Sequence, residues 1–347
     1  MKIRQWLLLA AVLFMAVACA KTGSSSQSGG TSEHAAAPPS ASASGSPSGS
    51  PSGSPSPSAS SEQRIMLGTY ISLAGQDTEA AIEQREAAMG RRYNIQLTYY
   101  DWTDTFPDSG EATMVAHGRT PLMTWYGPGK DAGGDGSLTE INSGRDDQWI
   151  LSQAEAIKNF GHHIYLRLMP EMNGNWYPGY SGDPAAYIAA WRHVHQLFAQ
   201  AGADDVSWIW CPNVGPADWD KYYPGNAYVD VIGVDGFSNV KYGYQSFEQM
   251  FSPFLTHFAG RKPLMIVETA TDSGAGDPGA GVASAASFIN GMHSYLEDVA
   301  GPEYGVIAVC WFDTADTDNH DWELDQTKAS WQAWLSLARD PYFGGHG

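Results

Sequence analysis

Residues 163–179 read HIYLRLMPEMNGNWYPG, and the organisation of the whole chain can be worked outward from them. The first seven are largely apolar, the pattern of a strand buried on both faces. A carboxylate, an amide and two rings follow at once: Glu171, Asn173, Trp176 and Tyr177. A carboxyl group can move a proton, an amide can hold a hydroxyl, and a flat ring can stack on a pyranose. The set suits a sugar. A second run, PLMIVE at 263–268, ends the same way, with Glu268 leaving an apolar strand. Two carboxylates at two strand ends are the minimal machinery for cutting a glycosidic bond.

Strand-like runs recur along the chain, at 65–72, 95–102, 121–127, 163–170, 206–212, 229–235, 263–268 and 305–312. Helix-like segments at 78–91, 146–160, 184–201, 247–258, 282–299 and 328–339 separate most of them. Asp183 before Pro184 reads as an N-cap followed by a first-turn proline. The links after the second and fifth strands look short or irregular. Strands alternating with helices at this length predict a (β/α)₈ barrel, an α/β fold. A doubly wound open sheet is the alternative, but no Gly-rich phosphate turn follows the first strand. The barrel puts Glu171 at the end of the fourth strand and Glu268 at the end of the seventh. Strands three apart stand across the mouth from each other, at the face where such barrels carry chemistry.

The 347 residues carry a formal net charge of −19 with 43% hydrophobic and 12% aromatic residues. That charge disfavours nucleic acid, an anionic membrane surface or a polyanionic substrate, and is compatible with a neutral polysaccharide or oligosaccharide. Lys2 and Arg4 followed by the apolar stretch 6–17 and Ala16-Val17-Ala18-Cys19 read as a signal peptide over 1–18. Ala18 suits ordinary cleavage, whereas Cys19 with the tether behind it suits lipidation. Residues 19–62 are mostly Ser, Gly, Pro and Ala, a linker that cannot bury a core. The catalytic domain is expected over 63–347, exported to the cell surface or medium as a monomer, touching membrane only through Cys19. Cys211 and Cys310 lie in strand-like runs, and sequence leaves their pairing open. No CxxC or His/Cys cluster suggests a metal, and no cofactor is expected.

EMNGNWYPG at 171–179, the stretch from Asp218-Trp219 through Tyr222-Tyr223-Pro224-Gly225 to VDVIGVDG at 229–236, and Ile266-Val267-Glu268 together resemble glycoside hydrolase family 26, over about 64–339. The resemblance implies a (β/α)₈ barrel and a retaining double displacement, with Glu171 as acid/base and Glu268 as nucleophile. It implies Trp176 bordering the cleaved bond and Trp311 flooring the sugar site. Two positions depart from the family pattern. Pro170 stands where His usually precedes the acid, and Phe237 where the sixth strand usually ends in Tyr. That His is associated with mannan-cleaving members, and WYP after Asn175 is more like the glucan-cleaving ones. β-Mannan and mixed-linkage β-glucan are the implied substrates.

Arg167 lies inside a strand, where an unpaired charge is costly, so a carboxylate partner such as Glu268 is expected. Asn173, Tyr177, Arg167 and Asp235 complete the candidate substrate contacts. Asp101, Trp102, Trp125 and Tyr126 end strands two and three and are candidates for outer subsites. The acid-rich run 313–325 lacks the Gly and Glu of a calcium loop and reads as solvated. A solute-binding lipoprotein shares the leader and linker but needs two lobes, and a non-catalytic glycan-binding barrel is the third reading. The attachment has a direct check: Cys19→Ala is expected to move the protein from the membrane fraction to the soluble one with catalysis intact. Unchanged fractionation would count against lipidation.

Overall fold

The structure, a computed structural model, describes residues 64–131, 136–239, 243–272, 284–314 and 320–344. The leader, Cys19 and the linker lie outside the described residues. Eight parallel strands, β1 (Met66–Ser72), β2 (Ile95–Tyr100), β3 (Thr120–Trp125), β4 (Ile164–Leu168), β5 (Val206–Trp210), β6 (Val231–Ser238), β7 (Leu264–Thr271) and β8 (Val306–Thr314), follow one another in chain order. β8 pairs back onto β1, so the barrel is closed, as the alternation predicts.

Helices α1 (Thr78–Met89), α2 (Ser109–Ala116), α3 (Leu138–Asn142), α4 (Asp147–Phe160), α5 (Pro184–Ala201), α6 (Phe247–Phe258), α7 (Ala285–Tyr295), α8 (Gly301–Tyr304) and α9 (Lys328–Arg339) accompany the strands. Asp183 caps α5, accepting from the Ala186 amide at 3.0 Å, as Asp183-Pro184 predicts. The link after β2 holds a true helix, α2, closed by a capping box between Asp108 and Glu111. Its eight residues are too few to show a helical period in sequence. After β5 there are only two 3₁₀ turns, Trp219–Tyr222 and Asn226–Tyr228.

Side chains alternate between two cores. Leu97, Leu122, Ile209, Val231, Met265 and Cys310 fill the barrel, and a larger layer packs between strands and helices. Cys211 and Cys310 are buried free thiols in the inner core.

One end of the acid-rich run, Asp313, is not solvated as expected, whereas Asp325 at the other end is exposed. Asp313 is fully buried and pairs with Arg85 of α1 at 3.0 Å, and the same guanidinium reaches Asp325 at 2.6 Å. Burial pushes the Asp313 carboxyl up to about 6, with the Arg85 charge pulling against it. Residues 315–319 of that run lie outside the described residues. Arg85→Ala should therefore destabilise the barrel by about 3–5 kcal/mol at neutral pH, because it leaves a buried charge uncompensated. Asp313 ionises less readily folded than unfolded, so its charge costs the folded state above the unfolded pKa. The loss should shrink as pH falls and Asp313 is protonated. Urea unfolding at pH 7 and pH 5 reads this, and equal losses at both would remove the electrostatic account.

Candidate active site

The strand β4 ends at Leu168, and the chain then folds back over the mouth. Met169 and Glu171, on either side of Pro170, adopt left-handed backbone with φ of 44° and 55°. Non-glycine residues rarely take this conformation, and such positions persist only where the surroundings impose them. Here the Met169 amide donates to the Trp125 carbonyl at 2.8 Å and the Glu171 amide to the Cys211 carbonyl at 2.8 Å. The turn is thus tied to the strands on both sides, and the Glu171 side chain is aimed rather than left to a mobile loop.

Two uncharged donors hold that carboxyl group. Trp176 Nε1 donates to Oε2 at 2.8 Å, and Asn213 Nδ2 donates to Oε1 at 2.7 Å. Gly174 makes the first possible: a Cβ there would meet the Trp176 ring at 2.4 Å. Burial, and then the charge of Glu268, push the Glu171 carboxyl above the usual range, against the pull of Arg167, Asn213 and Trp176.

Glu268 is held differently. β6 and β7 pair Val234 with Ile266, but the next pair is Asp235 with Glu268, so Val267 is an extra residue. Met265 and Val267 face the inner core, and the bulge turns Glu268 inward as well. Its Oε1 accepts from Tyr99 Oη at 2.6 Å and from an Arg167 guanidinium nitrogen. The other terminal nitrogen of Arg167 binds Asp235 Oδ2. The pairing of Arg167 with Glu268 agrees with the expectation that a cation inside a strand needs a carboxylate. Burial opposes its charge, yet Asp235 and Glu268 outweigh that and hold the guanidinium firmly protonated.

Several expected substrate contacts are placed otherwise. Arg167 is 2% exposed and Asp235 0%, the latter also accepting from the Cys211 thiol at 3.3 Å, so both brace Glu268 from below instead of meeting a ligand. Asn173 donates to the carbonyls of Asn213 and Pro216 and accepts from the Asn213 amide, which spends both its amide protons within the protein. Trp311 is not the floor of the mouth. It faces outward, 1% exposed, against Phe288 of α7 and Trp334 of α9. Trp102 and Trp125 stack on each other at 4.4 Å in the outer core; Trp125 is fully buried and no outer-subsite ring, while Trp102 lines a surface cavity with Asp146 and Trp149. Trp176 and Tyr177 remain half-buried at the mouth.

Tyr70 and Phe312, not singled out in sequence, join Phe237 in a ring wall with centroids 4.9 and 5.6 Å apart. Asn213 supplies the amide beside Glu171. Strand parity could have found these, since Asn213 lies two residues after inward-facing Cys211 and Phe312 two after inward-facing Cys310. Away from the mouth, Glu79, Glu83 and His117 form one grouping of cation-ligand type and His293, Glu297 and Asp340 another. In the first, Arg119 already pairs with Glu79 at 2.8 Å.

Residues 140–277 match the family model described as glycosyl hydrolase family 26. Endoglucanase H of Acetivibrio thermocellus is 29% identical over 269 residues, 73% of this chain and 28% of that protein. A mannan endo-1,4-beta-mannosidase of Bacillus subtilis is 25% identical over 122 residues, 33% of this chain and 32% of that one. The chain thus spans less than a third of either relative's length. A GH26 beta-mannanase from Bacteroides ovatus shares the fold with a TM-score of 0.59 at 15% identity, covering 82% of this chain and 92% of that one.

The mutual influence of the two carboxyls can be read directly. Glu268→Gln keeps the shape and removes the charge, leaving Arg167 less neutralised. Both effects favour ionised Glu171, so its titration, followed by ¹³C NMR of labelled carboxyl groups, should move to lower pH. An unchanged titration would show that the two groups do not sense each other.

Proposed function

We propose that this chain, a member of glycoside hydrolase family 26, is an endo-β-glycanase that hydrolyses a β-1,4-linked polysaccharide with retention of configuration. The observation that carries the reading is the unequal holding of two carboxyl groups at one barrel mouth. Glu171 has neutral donors and a raised proton affinity, whereas Glu268 is bound to a buried cation. Proton donor and nucleophile need such a division.

In the first step an oxygen of ionised Glu268 bonds to the anomeric carbon. The glycosidic bond breaks with its electron pair on the departing oxygen, which takes the proton of Glu171. In the second, water attacks the glycosyl ester, Glu171 removes the water proton, and Glu268 leaves as carboxylate. Two inversions give net retention. Since Glu171 must begin protonated, activity should fall on the alkaline side as it ionises. Trp176 and Tyr177 would stack on or border the sugar.

A glucan backbone is favoured over mannan. Pro170 replaces the His associated with mannan cleavage, and the similarity to the endoglucanase covers 73% of the chain against 33% for the mannosidase. The leader, Cys19 and the linker support an exported, surface-tethered protein.

The assignment is tested with Glu171→Ala. On polysaccharide it should lose about 10²–10⁴-fold in rate, the usual worth of general acid–base help. On an aryl β-glycoside with a good leaving group the first step should survive, and the glycosyl-enzyme should accumulate. Azide, which needs no base, should restore turnover and yield the β-glycosyl azide. An α-glycosyl azide would exchange the roles of the two residues. A wild-type protein inert towards β-glucan and β-mannan alike would sink the reading.

A further inference from the structure

We propose that Tyr99 is a positioning residue for Glu268, and that Tyr99 and Arg167 together leave Oε2 of Glu268 as the attacking oxygen. This rests on Glu268 being the nucleophile. Tyr99 belongs to β2 and points into the barrel with Ile95 and Leu97, at alternating positions. Its ring is fixed edge-on by Tyr70, with centroids 4.8 Å apart and planes at 83°. Tyr126 lies parallel to it at 6.0 Å. So held, the hydroxyl meets Glu268 Oε1 at 2.6 Å. Arg167 reaches the same oxygen from β4. Among the described residues, no donor reaches Oε2.

The terminal torsion of a glutamate is soft, and one contact to a guanidinium shared with Asp235 does not fix the carboxylate plane. A second donor from another strand does. With Oε1 doubly held, the lone pair of Oε2 forms the bond to the anomeric carbon. The bond to the departing oxygen breaks, and that oxygen takes its proton from Glu171. Oε1 then becomes the carbonyl oxygen of the ester, still addressed by both donors, so the intermediate keeps its orientation for the return step. Phe237 of β6 carries no hydroxyl, and its ring packs on Phe312 and Trp322. Burial first, and then the charge of Glu268, hold the Tyr99 phenol well above its usual range, so it remains a donor.

The test compares wild type with Tyr99→Phe, using labelling by 2-deoxy-2-fluoroglycosyl fluorides and hydrolysis of an aryl glycoside across pH. Losing a hydrogen bond to a charged group should lower kcat/KM about 10–100-fold, through kcat and not KM. Tyr99 stabilises ionised Glu268, so its loss should also move the acid limb to higher pH. Glu268 is faced by Tyr70, Tyr126, Arg167, Asp235, Glu171 and the thiols of Cys211 and Cys310, none of them altered by this change. Tyr100→Phe is the control. Its hydroxyl donates to Glu111 at 2.7 Å on the outer face, so it should lower the melting temperature and leave the acid limb in place.

Wild-type rate and acid limb in Tyr99→Phe would overturn the proposal, as would a limb shift of equal size in Tyr100→Phe. A wild-type protein that takes no label would remove the premise instead. Should Tyr99→Phe not fold, a fluorinated tyrosine at 99 keeps ring and hydroxyl and makes the hydroxyl a stronger donor to Oε1 of Glu268. The acid limb should then move to lower pH, and an unmoved acid limb would overturn the proposal.

Discussion

A guanidinium inside the barrel is the constraint from which the site follows. Arg167 points inward from β4 and is nearly without solvent. Such a charge is tolerable only when anions meet it. Asp235 from β6 and Glu268 from β7 do so, one on each terminal nitrogen. The bulge at Val267 is the backbone adjustment that makes the second contact possible, because strict alternation after inward-facing Val267 would send Glu268 outward. The pairing therefore sets the register of β7 against β6 and fixes which acid stands at the mouth.

The opposite carboxyl group depends on this arrangement without touching it. Glu171 is carried on a left-handed turn tied to β3 and β5, and its partners are an indole and an amide. Two acids of one kind are thus held by different partners, and the surroundings of Glu171 raise its proton affinity. Burial raises one, and the charge of the other reinforces the rise. Pro170 serves the same turn. It offers no amide proton, and it lies buried between the two left-handed residues.

The fold was legible because each strand is an apolar run bounded by turn residues, and because Glu171 and Glu268 each follow such a run. The inner and outer faces were less so. A strand buried on both sides shows no hydrophobic alternation, so Trp311 could be assigned to the mouth although its neighbours Cys310 and Phe312 face inward. Asn173 misled for a related reason. A polar residue beside an acid reads as a ligand contact, while the backbone of residues 213–216, which it holds, is distant in sequence. The bulge left no mark at all, since Ile-Val-Glu is equally a regular strand. Helix α2 was hidden by its brevity. Its capping residues, Asp108 and Glu111, are present in sequence but gain meaning only once the helix is there.

The same physics explains how the mouth divides into two sides. Tyr70, Phe312 and Phe237 bring rings from β1, β8 and β6 into an apolar wall, and Arg167 with its acids forms a charged base beneath. Stacked rings exclude water from the charges below them, and hydrogen bonds to a carboxylate strengthen as the local dielectric falls. Phe237 fits this arrangement as Tyr would not without a partner for its hydroxyl, because the ring lies between Phe312 and Trp322. The polar contact to Glu268 then has to come from elsewhere in the barrel, and Tyr99 on β2 is the hydroxyl that makes it. An apolar sixth strand and a phenol on the second are two parts of one packing solution.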